Sequence, residues 1–226
     1  MPFLFSDRAD AGRWLALRLG HLSGRHGLVV LGLPRGGIAV AAEVARVLDA
    51  PLDVLVVCRL AAPGQPGLSL GAVAHGDVEV RDARLITRLG LDAATVARVA
   101  ERERAALERH ERAYRGDRPY PDLTNAVVLL VDDGVTTGAS MLAAVGAVQE
   151  LHPADLVVAA PVMAPEAYRA LTATGIPCIT LSSPEPFGSV AAWYQDFRPI
   201  TEPEVTALLA RCRVAPPEPS LTTPRG

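Results

Sequence analysis

The sequence predicts an α/β fold: a doubly wound, mostly parallel sheet of five strands in a single domain over residues 1–213. Three observations lead there. Short apolar runs alternate with stretches of helical periodicity, the pattern of βαβ units. Half of the residues are hydrophobic yet only 4% are aromatic, so the core must be aliphatic, as suits parallel strands covered on both faces. One of the runs passes directly into a loop of small and hydroxyl residues, at the strand edge where open α/β sheets take their ligands.

The elements follow in order. Residues 7–22 have the spacing of an amphipathic helix. Residues 28–33 (LVVLGL) read as a buried strand and 38–48 as the helix after it. Residues 52–58 (LDVLVVC) read as a second strand. The pattern then changes. Residues 61–76 are rich in Gly and Pro and read either as a mobile flap or as an ordinary hairpin insertion, since long loops in compact domains are often functional. Short β-like pieces reach residue 87. Residues 92–115 form a strongly charged helix with Glu108/Arg112 and Glu111/Arg115 four apart. A third strand covers 125–131, with a helix at 138–151. Residues 155–162 are the fourth strand, and Pro165 suits the first turn of the next helix. Residues 176–181 are the fifth. Thr201-Glu202-Pro203-Glu204 is a capping box that opens a last helix to about residue 212. The Pro-rich stretch 214–226 is expected to be disordered.

Composition excludes several classes of function. Net charge is −3, which gives no support for a general nucleic-acid or membrane-binding surface. No apolar run approaches the ~20 residues of a membrane span. The first residues meet charge early and lack a signal-peptide core, so the expected location is the cytoplasm. Cys58, Cys178 and Cys212 lie far apart and form no metal-binding pattern. All 22 basic side chains are Arg. The lack of lysine removes Schiff-base chemistry, lysine-bound pyridoxal phosphate, the Walker lysine and the kinase strand lysine.

The chemistry concentrates in VVLLVDDGVTTGAS, residues 127–140. A buried strand ends on Asp132 and Asp133, and a loop of Gly134, Val135, Thr136, Thr137, Gly138, Ala139 and Ser140 leads into a helix. Open amides at the positive end of a helix dipole, with three hydroxyls beside them, make a cradle for a monophosphate. Carboxylates repel phosphate, so the aspartates should face a neutral diol, to which they make charge-assisted hydrogen bonds. Phosphate on the amides and diol on the carboxylates describe a ribose 5-phosphate. GLPRGGIA, residues 32–39, offers a second anion site in Arg35 and the amides of Gly36 and Gly37.

These residues resemble the phosphoribosyl pyrophosphate (PRPP) binding motif of the type I phosphoribosyltransferases. The wider likeness includes GAVA at 71–74, HERAYRG at 110–116 and PEPFGSVAAWYQDFRPIT at 184–201. It covers about residues 4–212 and is nearest to an uncharacterised bacterial branch of that family. The resemblance implies the fold, with a flexible β flap at 61–76 covering the site and a small hood near the chain ends. It implies that Arg35, Gly36 and Gly37 bind pyrophosphate and that the Pro34–Arg35 peptide is the candidate non-proline cis bond. It implies a pyrophosphate contact for Arg59, where the branch usually carries lysine; arginine keeps the charge but not the point-charge geometry. Asp132, Asp133 and Arg35 would carry catalysis. Mg²⁺ is the implied cofactor, riding on the substrate phosphates, with Asp132 and Asp133 the nearest carboxylates to it. The partners would be PRPP and a nitrogenous small molecule, with no nucleic acid or membrane, and a possible homodimer. Phe187, Trp193, Tyr194 and Phe197 either stack an acceptor base, with Asp196 as a polar contact or outer-sphere Mg²⁺ ligand, or form a hydrophobic cap over the sheet edge. The activity expected is transfer of ribose 5-phosphate from PRPP to the acceptor. The alternatives are a non-catalytic PRPP or nucleotide sensor and, less favoured because the flap should exclude water, a hydrolase.

Overall fold

The computed structural model describes residues 4–76 and 78–212, with only the backbone of Pro66; the stretch 214–226 lies outside the described residues. The chain begins with α1 (Arg8–Arg18) and a turn of 3-10 helix (Gly20–Leu22), then β1 (Leu28–Gly32), α2 (Gly36–Leu48) and β2 (Leu52–Val54). β3 (Val57–Ala62), β4 (Gln65–Ala74), β5 (Val78–Arg81), α3 (Ala83–Arg88) and α4 (Ala93–Arg115) follow. The second half holds β6 (Val127–Val131), α5 (Ala139–Gln149), β7 (Asp155–Val162), α6 (Pro165–Thr172) and β8 (Cys178–Ser182). A second 3-10 turn (Val190–Trp193) and α7 (Glu202–Arg211) complete it.

Helix starts obey local chemistry. Asp7, Asp92 and Thr201 each accept a hydrogen bond from the amide three residues on, satisfying an orphan donor of the first turn. At Thr201 the reciprocal bond from Glu204 completes the capping box. The helix expected over 7–22 ends at Arg18 and tightens into the 3-10 turn. α1 packs tightly on α2 because Gly12 has no side chain; a Cβ there would stand 2.7 Å from the carbonyl of Val40.

Five strands form a parallel sheet in the order β2-β1-β6-β7-β8. Alternate residues of β6 enter opposite core layers: Val127, Leu129 and Val131 on one side, Val128 and Leu130 on the other. The first layer takes residues from α1, α2, α4 and α7, the second from α5 and α6. This is the expected doubly wound arrangement, built mainly from aliphatic side chains. No described helix is long and apolar enough to cross a membrane.

The second strand differs from expectation. Residues 52–58 read as one strand, but the ladder with β1 ends as Leu55 donates to the carbonyl of Gly32 at 3.1 Å. The chain then leaves the sheet, and β3 pairs antiparallel with β4, and β4 with β5. Leu55 and Val56 are fully buried at the crossing, so the apolar run stays unbroken while the pairing changes. Within 61–76 the structure has a hairpin: its base is buried through Leu70, Ala72, Val73 and Ala74, and its tip, including Gly64 and Leu68, is exposed. Ala72 and Ala74 pack on Ala143 and Ala147 of α5. That small-residue contact sets the hairpin beside the loop preceding α5.

Candidate functional site

β1 and β6 are neighbours in register, with Gly32 opposite Val131. Their following loops therefore leave the sheet side by side at its C-terminal edge. The loop after β6 is pinned in its middle. Val135 donates to the carbonyl of Val162 at 3.0 Å, accepts from Ala164 at 2.8 Å and is buried. Thr136 and Thr137 are exposed beyond the pin. Gly138 takes a left-handed φ of 83° to turn the chain into α5 without a side-chain cap. The first amide of α5, that of Ala139, donates to Oγ1 of Thr137 at 3.4 Å, so this loop and the positive end of the α5 dipole meet at the cavity. Asp132, Gly134 to Met141 and Arg59 line a cavity of about 150 Å³. Arg59, on β3, therefore borders the cradle of the β6 loop. Arg35 instead lines a separate cleft of about 250 Å³ with Cys58, His110, Tyr114 and Glu202. The expected grouping of Arg59 with Arg35 is thus not the one the cavities make.

The loop after β1 carries the cis peptide at Pro34–Arg35. Its two glycines do more than free their amides. A Cβ on Gly37 would stand 2.8 Å from the Cα of Asp132, and one on Gly36 would stand 1.9 Å from Oδ2 of Asp133. Only glycine lets the two loops touch.

The two aspartates have different surroundings. Asp132 borders the cavity, and its Oδ1 accepts from the amide of Asp133 at 2.8 Å. Asp133 points the other way, where Nε of Arg8 donates to its Oδ2 at 2.7 Å. Burial pushes the Asp132 carboxyl well above the usual carboxylate range, and the neighbouring charge of Asp133 adds to this. Burial also raises Asp133, but the bond from Arg8 opposes it. Burial lifts the Cys58 thiol to about 11, which keeps it un-ionised at neutral pH.

Phe187, Trp193 and Tyr194 are buried and join the core layer of α5 and α6. The indole of Trp193 donates to the carbonyl of Phe187 at 3.1 Å, and the hydroxyl of Tyr194 donates to the carbonyl of Asp133 at 2.5 Å. The half-buried ring of Phe197 is covered on one face by the Arg8 guanidinium at 3.8 Å. Asp196 is exposed and accepts from the amide of Arg198. These rings pack on one another and on the core layer. Phe5 pairs with this segment through Trp193 and Gln195, so the hood is woven from both ends of the described chain.

Arg8 was not among the sequence candidates. Its signal is positional: it lies on the same helix face as the buried Ala11, Leu15 and Ala16, and a charge on an apolar stripe demands a partner.

Comparison with known proteins places this architecture. The phosphoribosyl transferase domain family matches residues 8–190. The Mycobacterium tuberculosis protein named "Putative phosphoribosyl transferase Rv0571c" is 43% identical over 211 residues, 92% of this chain and 47% of its own length. The chain thus spans about half the length of the curated relatives it matches. The crystal structure of TT1426 from Thermus thermophilus is 42% identical, with a TM-score of 0.79 over 93% of this chain and 100% of that one. A Neisseria gonorrhoeae hypothetical protein, solved with bound ppGpp, is 12% identical with a TM-score of 0.50 over 93% of this chain and 97% of its own, and shares the fold alone.

Proposed function

This chain belongs to the phosphoribosyl transferase domain family, and on that premise we propose that it binds PRPP and transfers ribose 5-phosphate to a nitrogenous small molecule, releasing pyrophosphate. The observation that carries this reading is the touching pair of loops at one sheet edge. One offers helix-terminal amides, hydroxyls and Arg59 around a cavity with Asp132 on its rim; the other offers Arg35 and the amides of two obligatory glycines. The 5-phosphate would sit on the first and pyrophosphate on the second, with the ribose diol at Asp132 between them.

In the reaction the acceptor nitrogen forms a bond to ribose C1 as the C1–oxygen bond breaks, and the bonding electrons leave with pyrophosphate. The sugar gains oxocarbenium character in that step. Arg35 answers charge growing on the leaving group, an electrostatic contribution aimed at the transition state. Asp132 orients the diol, and its raised proton affinity suits it to take up the proton lost by the acceptor nitrogen. Among the described residues no group of three side chains could cage a metal. The carboxyl of Asp132 on the cavity rim would lie beside Mg²⁺ held chiefly by the substrate's own phosphates and water. When bound, Mg²⁺ would neutralise phosphate charge.

The test is incubation with PRPP, Mg²⁺ and a panel of nitrogenous bases. Pyrophosphate release dependent on one base is expected; no release with any base, together with no PRPP binding, would sink the reading. Arg59→Ala should weaken ribose 5-phosphate at least tenfold, as expected for losing a charge-assisted phosphate contact of about 1.5–3 kcal/mol, and leave inorganic pyrophosphate unaffected. The burial of Phe187, Trp193 and Tyr194 favours a second reading, a non-catalytic PRPP sensor. Saturable PRPP binding without turnover on any base would select it.

A further inference from the structure

One buried ion pair touches both proposed anion loops and the hood. Arg8 is 8% exposed. Its Nε donates to Asp133 Oδ2 at 2.7 Å, and its Nη1 donates to the carbonyl of Arg198 at 2.9 Å. Phe197 covers one face of the guanidinium at 3.8 Å. Gly36, the first residue of α2, is pressed against the pair; a Cβ there would stand 1.9 Å from Asp133 Oδ2 and 2.9 Å from Arg8 Nε. Tyr194 holds the backbone of Asp133 from the hood side at 2.5 Å. A pair so removed from water is costly to break by removing either partner. A tightly packed contact has few intermediate arrangements, so the β6 loop, the start of α2 and the hood keep their relation or move as one.

We propose that Arg8 is a positioning residue that couples the sugar-phosphate loop to the pyrophosphate loop, so that the two ends of the donor bind cooperatively. The inference rests on the donor reading above. Arg8 touches neither end of the donor in this role. It acts through Asp133, which it holds against Gly36. A sugar phosphate that settles on the β6 loop fixes Asp133, and through the shared pair it fixes the first turn of α2, where the second anion binds. Coupling between sites that share such an element is reciprocal and commonly about 5–150-fold.

Calorimetric titration tests this with ribose 5-phosphate and Mg²⁺-pyrophosphate, each alone and in the presence of the other. In the unaltered protein, either fragment should raise the affinity for the other by about fivefold or more. In Arg8→Ala that factor should fall towards one while each fragment still binds its own loop. Arg8→Lys keeps the buried charge but lacks the fixed fork that serves Asp133 and the Arg198 carbonyl together, so it should give an intermediate factor. Should Arg8→Ala fail to unfold cooperatively on heating, Arg8→Lys decides the matter. A structural role alone predicts equal weakening of both fragments with the factor unchanged, and that result overturns the proposal. Additive binding in the unaltered protein overturns it too. If the unaltered protein binds neither fragment nor PRPP, the donor reading itself fails and takes the coupling with it. PRPP binding with a factor insensitive to Arg8→Lys removes the coupling alone.

Discussion

Asp132 and Asp133 are adjacent and chemically identical, yet the fold gives them different neighbours. The sequence shows that two carboxylates end the strand; it does not show that one is claimed by a cation 125 residues away. Sequence reasoning assigns the diol to both and predicts that Asp133→Asn weakens PRPP binding with the fold intact. The buried bond to Arg8 moves the sharper test to Asp132. A carboxyl whose folded value is raised by burial lowers stability when ionised. That penalty is absent below the unfolded value of about 3.9 and grows as pH rises through the folded value. Asp132→Asn keeps an acceptor for the Asp133 amide and removes the charge. Its melting temperature should match the unaltered protein near pH 4 and exceed it at neutral pH, while donor affinity falls. Gly36→Ala makes a steric prediction. Its Cβ would collide with Asp133 Oδ2, so it should lower stability by about 1–3 kcal/mol in chemical denaturation and also weaken pyrophosphate binding.

At the level of elements, long periodic segments were legible and changes of partner were not. β6, β7 and α4 lie where periodicity sets them. The run 52–58 shows no break, because both the parallel sheet and the hairpin sheet accept buried aliphatics there. The clue is the alternation that starts at Val57 and leaves Arg59 outward. α7 was legible because a capping box is local chemistry. Thr201→Ala should cost about 0.5–2 kcal/mol, measured by chemical denaturation. Glu204 is held down to about 2, first by Arg198 and then by Thr201. A depressed carboxyl stabilises above its unfolded value of about 4.3 and loses that effect as pH falls through the folded value. The first turn of α7 should therefore loosen between roughly pH 4 and pH 2, visible as faster amide exchange relative to α4.

On the scale of the whole molecule, the sheet order follows from alternating strands and helices, and the candidate site from its position at the sheet's C-terminal edge. What sequence could not reveal is closure, which depends on residues distant in the chain. If PRPP binds the native state alone, PRPP at about 100 times its Kd adds about 2.7 kcal/mol. The melting temperature should then rise by about 5–10 °C, and thermal scanning against PRPP concentration would read this directly. Closure also has a timing. Phe5 pairs beside Trp193, and Arg8 bonds to the carbonyl of Arg198, 190 positions later. At roughly 5–20 residues per second of synthesis, an interval of about 10–40 s separates those partners. Arg8 is made 190 residues before the carbonyl it engages, so a nascent chain exposes both proposed anion loops with their clasp still open.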